Sequence, residues 1–118
     1  MSEARVARVG DQIQREIANI LTTGQLKDDR IGFVTITAVK VTQDLKEAKV
    51  YFTTHGTEAE QKVSAEALAS HVGRLRSHIG KEMKIRHAPS LRFVHDASIE
   101  EGAKIERLLK EVREKEGW

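Results

Sequence analysis

The sequence predicts a single α+β domain, and three observations carry that expectation. An apolar stripe with helical spacing runs through residues 3–23. Two β-branched segments, Ile31–Val41 and Glu47–Thr54, lie one short turn apart, which is hairpin spacing. A T-x-x-E capping box at Thr57–Glu60 then opens a helical seam that runs on past Gly73, before Pro89 and a third strand-like segment. The order is helix, strand, strand, helix–kink–helix, strand, helix, with helices and sheet packed as layers around one core.

In the first helix Val6, Val9, Ile13, Ile17, Ile20 and Leu21 recur at spacings of three and four, while Arg5, Arg8, Asp11, Arg15 and Glu16 fall off that stripe. Gly24 is the expected residue just past its end, where a left-handed backbone is cheapest for glycine. In the first strand, plain alternation puts Val34, Ile36, Ala38 and Lys40 on one side and Thr35, Thr37, Val39 and Val41 on the other. Thr42–Leu45 makes the turn, and Ala48, Val50 and Phe52 share one face of the second strand. The long helical seam is Ala59, Val63, Leu68, Val72, Leu75, Ile79 and Met83. Gly73 interrupts it, and a glycine inside a helix costs about 1 kcal/mol relative to alanine, so a bend near His71–Gly73 or a close backbone approach is expected. Leu91, Phe93 and His95 share a face of the third strand. A second capping box, Ser98–Glu101, opens a last helix with the stripe Ile105, Leu108, Leu109 and Val112, and residues 113–118 read as a frayed tail.

At 118 residues, 39% hydrophobic and 32% charged, residues 1–118 fit one domain with its own core. No cysteine is present, which excludes disulfides and thiolate chemistry and fits a reducing cytoplasm. No apolar run approaches the roughly 20 residues that span a bilayer, and the N-terminus lacks the apolar core of a signal peptide, so a soluble, cytoplasmic protein is expected.

The overall charge of +2 hides an asymmetry. The 22 residues His71–Arg92 carry six Lys/Arg against one acid, Glu82, whereas the remainder is slightly acidic. Such a concentrated patch is the electrostatic footprint of a polyanion site. Arg74, His78, Lys81 and Lys84 fall largely off the Leu75/Ile79/Met83 seam, so a helix displays them together. A helix N-terminus opened by a bend adds N–H groups and a positive dipole end, a phosphate site in the making. With aromatics at 4%, mostly at strand positions, backbone and shape recognition is expected rather than base stacking. Arg5, Arg8 and Arg15 on the first helix read either as a solvated face or as an auxiliary phosphate-contacting edge. Catalysis has no comparable signal: phosphate-binding loops, dinucleotide fingerprints and nucleophile elbows are missing. The histidines, His71 and His78 included, lack the ligand spacing of a metal site. No enzyme activity, metal, cofactor or small-molecule substrate is expected.

Three runs of residues resemble the ribosome-binding factor A family of bacteria. They are Arg5-Val6 through Ile13, Glu16-Ile17 and Ile20-Leu21; Asp29-Arg30-Ile31-Gly32-Phe33-Val34-Thr35-Ile36-Thr37 through Asp44-Leu45, Ala48 and Val50-Tyr51; and Leu75-Arg76, Ile79-Gly80, Met83, Arg86, Pro89, Leu91, Phe93, Asp96 and Ser98. They span nearly the whole chain in one register. The resemblance implies a type II KH-like domain of order αββααβ with a C-terminal helix. It also implies a helix–kink–helix in place of the GxxG clamp, and Gly73-Arg74-Leu75-Arg76 indeed has no second glycine. It implies a monomeric, non-catalytic factor that binds the small (30S) ribosomal subunit and its rRNA. Such a factor assists late maturation, including 5′-end processing of the precursor rRNA, and supports growth in the cold. By position the RNA-facing residues would be Arg74, Arg76, Lys81, Lys84 and Arg86, with Arg5 and Arg8; charge adds His78. The rival readings are a general RNA-binding KH-like module and a protein-interaction domain working through the sheet.

Overall fold

Ser2 starts the first helix: its hydroxyl accepts the Arg5 N–H at 3.2 Å, and Glu3 places an acid in the first turn, where the dipole favours it. The structure, a computed structural model, describes residues 2–97 and 107–113. Helix α1 spans Glu3–Thr22 and buries Ile13, Ile17 and Ile20. It ends as expected, with Gly24 at φ 70° and the Gln25 N–H returning to Ile20 O at 3.3 Å, a Schellman closure. Gly10 is buried too, because a Cβ there would lie 2.8 Å from the Val39 carbonyl oxygen; α1 rides directly on the strand beneath it.

Strands β1 (Val34–Val41) and β2 (Glu47–Thr54) form the expected antiparallel hairpin, and β3 (Ser90–His95) adds to β2 in parallel, giving the order β1-β2-β3. The turn holds Leu45 at φ 60° and is locked by Asp44, whose carboxylate accepts from the Thr42 hydroxyl at 2.7 Å and the Lys46 N–H at 3.0 Å. Those two bonds, the hydroxyl first, hold the Asp44 carboxyl below its ordinary pKa.

Plain alternation fails in β1. A β-bulge between Ile36 and Ala38 leaves Thr37 unpaired and inverts the strand's phase. Ile36 faces the core before the bulge, while Val39 and Val41 pack against the core after it. Ala38 and Lys40 turn to the opposite side, across from Tyr51 and Lys49. Thr37, thrown out of the ladder, donates its hydroxyl to Asp96 at 2.6 Å.

Helices α2 (Glu58–Ser70) and α3 (Val72–Glu82) follow. The Thr57–Glu60 capping box forms as expected. The buried face of α2 is Ser64, Ala67 and Leu68; Ala59 and Val63, expected in the seam, are exposed. The bend falls on His71, at φ −101° and ψ 8°. Gly73 is an ordinary member of α3, and nothing lies within 4 Å of where its Cβ would be. The packing therefore places no demand for glycine at this position. Residues 107–113 form α4, with Leu108, Leu109 and Val112 exposed rather than seated in the core. Arg113, expected in the frayed tail, is helical; the Ser98–Glu101 capping box, Ile105 and residues 114–118 lie outside the described residues.

The core gathers Ile13, Ile17 and Ile20 of α1 with Ile36, Val50, Phe52 and Leu91 of the sheet and Leu68, Leu75 and Ile79 of α2 and α3. Phe52 stands edge-on to Phe93 and His95, with centroids at 6.4 and 5.6 Å. All of β2's core residues, Ala48, Val50, Phe52 and Thr54, point to the helical side. The other sheet face is left to Lys49, Tyr51 and Thr53.

Candidate nucleic-acid interface

Helical geometry sorts the side chains of α3 into three lines. Leu75 and Ile79 are fully buried and fix the helix on the core. Opposite them Arg74 and Lys81, seven residues apart and both exposed, form the outward ridge. The flanks are tied down. On one, His78 Nε2 meets Glu16 Oε2 of α1 at 2.9 Å. On the other, the Arg76 guanidinium donates from Nε to Pro89 O at 3.0 Å and from a terminal nitrogen to Ala88 O at 2.8 Å. Arg76 thus clips the segment before β3 onto α3, and His78 clips α3 onto α1. Helical phase put His78 on one face with Arg74 and Lys81, and the family resemblance added Arg76; the structure gives both of them anchoring bonds.

Past the helix end the chain turns sharply. Ile85 N–H bonds Gly80 O at 3.0 Å and Lys84 N–H reaches Lys81 O at 3.4 Å, a Schellman motif with Lys84 in the left-handed position at φ 54°. A lysine stands where glycine is usual. The turn sets Lys84 beside α1, where a groove of about 260 Å³ is lined by Gln12, Arg15, Glu16, Glu82, Met83 and Lys84. Arg15, which the sequence offers with Arg5 and Arg8 as an auxiliary phosphate-contacting edge, lines this groove with Lys84. Arg8 and Arg5 continue along α1, exposed and farther from α3, and Arg86 is exposed beyond the turn.

No side chain caps the N-terminus of α3, and its first turn carries no acid. The bend is braced by the loop between α1 and β1. Asp28 accepts from His71 at 2.9 Å and from Arg30 at 2.6 and 3.0 Å; Arg30 also donates to Ser70 Oγ at 3.3 Å. Ser64 Oγ in turn donates to Arg30 O at 3.3 Å. The Arg30 bond first, then that of His71, holds the Asp28 carboxyl well below the usual carboxylate range, and Asp28 raises the Arg30 guanidinium in return. Nor are all the aromatics core: Phe33 is 89% exposed in the loop before β1. Among the described residues no group of three or more His, Asp or Glu is placed to hold a metal ion, and no helix is long and apolar enough to cross a membrane.

The chain matches known proteins over most of its length. The family model for ribosome-binding factor A covers residues 5–109. The ribosome-binding factor A of Brevibacillus brevis is 46% identical over 112 residues, spanning 95% of this chain and 92% of that protein. Among solved structures, the Thermotoga maritima protein assigned to ribosome binding factor A superposes with a TM-score of 0.72 at 32% identity, covering 83% of this chain and 92% of its own. The Thermus thermophilus ribosome binding factor A, as fitted into a cryo-EM map of its 30S complex, shares the fold with a TM-score of 0.63 at 24% identity over 78% of this chain and 96% of that one. The type II KH-like order αββααβ, the bend without a second glycine and a sequence match across nearly all the chain converge on one conclusion: this protein belongs to the ribosome-binding factor A family.

Proposed function

We propose that this protein is a non-catalytic assembly factor that binds the small ribosomal subunit through phosphate contacts from the α3 ridge. The observation that carries this reading is the juxtaposition of the Arg74/Lys81 ridge with an uncapped, acid-free helix N-terminus at the bend. N–H groups at a helix start and displayed cations both favour a nucleic-acid backbone. Lys84, Arg86 and Arg15 extend the surface past the helix end and onto α1, with Arg8 and Arg5 at its margin. Arg76 and His78 serve it chiefly by fixing its two flanks. Family membership supplies the partner, since the family is named for ribosome binding and its Thermus member has been fitted in complex with 30S.

Binding energy of this kind works by population shift: contacts made to only one arrangement of rRNA hold that arrangement until it is no longer needed. We assign the factor to late small-subunit maturation in the cytoplasm as a monomer, with 5′-end processing of precursor rRNA as the step it assists. Cold, which stabilises misarranged RNA, is the condition that makes it limiting.

Co-sedimentation with small subunits, large subunits and intact ribosomes at low and high salt tests this. Arg74→Glu/Lys81→Glu/Arg86→Glu is expected to abolish a salt-sensitive preference for small subunits while leaving the circular dichroism spectrum intact. Arg76→Lys, which keeps the charge but loses the two-pronged grip on Ala88 and Pro89, is expected to weaken binding far less. Equal binding to all particles would reduce the protein to a general RNA-binding module. Small-subunit binding that survives charge reversal would move the interface off α3.

A further inference from the structure

The outer face of the sheet carries a row of cations that the α3 surface does not use. Lys40 of β1 stands directly opposite Lys49 of β2, and Lys49 stands directly opposite Arg92 of β3. All three are exposed, and none makes a salt bridge among the described residues. The next row is Ala38, Tyr51 and Val94, with Lys40 Nζ 5.8 Å from the centre of the Tyr51 ring. Acids flank the row without entering it. Glu47 lies one row away opposite Ser90, Asp96 lies beyond the far end, bonded to the Thr37 hydroxyl, and Glu3 and Asp11 of α1 line a groove with Lys40 without pairing with it.

Folding alone does not select this pattern. Like charges directly opposite each other on neighbouring strands destabilise a sheet. Lysine on an edge strand discourages sheet-to-sheet pairing, which accounts for a cation on β1 or β3. That reason does not reach Lys49, which sits on the central strand. A ligand that neutralises all three does account for it. With strands about 4.8 Å apart, three positive charges fall within about 10 Å. That density suits a phosphate backbone, which carries roughly one charge per 1.7 Å of duplex, better than the dispersed, mixed charges of a protein surface.

We propose that the outer sheet face is a second RNA-backbone contact, so that one copy of the protein bridges two RNA segments, one on the α3 ridge and one on the Lys40–Lys49–Arg92 row. This rests on the assembly-factor reading and adds to it a device for holding two rRNA elements together.

Lys40→Gln/Lys49→Gln/Arg92→Gln, and Lys49→Gln alone in case the triple variant folds poorly, are compared with wild type and with the α3 triple variant. Affinity for small subunits is followed across a salt series, and fluorescence transfer is measured between two differently labelled RNA duplexes mixed with the protein. Loss of three phosphate contacts is expected to reduce the slope of log affinity against log salt by about two to three, and loss of Lys49 alone by about one. Wild type brings the two labels together; either triple variant does not. Wild-type slope and wild-type transfer in both sheet variants would overturn the proposal. Weaker binding with an unchanged slope would overturn it too, marking the face as a protein contact. Failure of wild type itself to bind small subunits in a salt-dependent way would instead overturn the assembly-factor reading, and this one with it.

Discussion

Lys84 joins two demands in one residue. It occupies the left-handed position that closes α3, where a side chain costs about 1–2 kcal/mol relative to glycine, and it also lines the groove with Arg15. Lys84→Gly is therefore expected to raise stability by about 1 kcal/mol in urea denaturation while lowering affinity for small-subunit RNA. A neutral effect on RNA binding would make Lys84 a tolerated misfit rather than a contact. At this scale the cations were legible in the sequence, because composition and helical phase are local. Their pairing was not: His78 meets an acid 62 residues away, and Arg76 meets carbonyls 12 and 13 residues away across a turn. Both pairs exist only once α3 is packed.

Among the elements, the α2–α3 bend shows how a site is built from a distance. Gly73 drew attention in the sequence because glycine is out of place in a helix, yet the bend sits on His71 and is held by Asp28 and Arg30 from the loop between α1 and β1. Nothing in the local sequence announces that brace. Its pH behaviour follows from the sign of the Asp28 shift. A carboxyl held below its ordinary value stabilises the fold above the unfolded value of about 3.9, and loses that contribution as pH falls further. Asp28→Asn is expected to lower stability at neutral pH and to flatten the acid limb of a stability–pH profile between about pH 4 and pH 2. An unchanged acid limb would remove the brace from the account. The hairpin, both helix caps at Gly24 and Thr57, and the core faces of β2 and β3 were all readable beforehand, since each depends on a few neighbouring residues. The parallel seating of β3 beside β2 was not, because it is fixed by helices that must first pack.

For the molecule as a whole, one core lies between the helices and one face of the sheet, and charge is distributed on the outside of both layers. Helix α4 takes no part in that core: Leu108, Leu109 and Val112 are 61%, 52% and 48% exposed. Their replacement by serine together is expected to change unfolding free energy by no more than about 0.5 kcal/mol per site, the range of ordinary surface substitutions. A larger loss on thermal or urea unfolding would show that these side chains are buried in solution. Leu108, Leu109 and Val112 of the expected stripe are helical, but periodicity shows which residues share a face and not whether another surface meets that face.

The bulge at Thr37 also governs how the chain tolerates change in length. One surplus residue is what sends Val39 and Val41 toward α1 and Lys40 toward Lys49. Deleting one residue there, or adding one between Ala38 and Val41, would exchange the two sets, driving an ammonium against α1 and lifting two valines into water. Substitutions along β1 are thus graded in their effects, whereas a single-residue deletion acts as an inversion of the strand. The loop from Thr23 to Phe33 carries no such phase, and insertions there are tolerated where they spare the buried Leu26, Ile31 packed beside it and the Asp28–Arg30 brace.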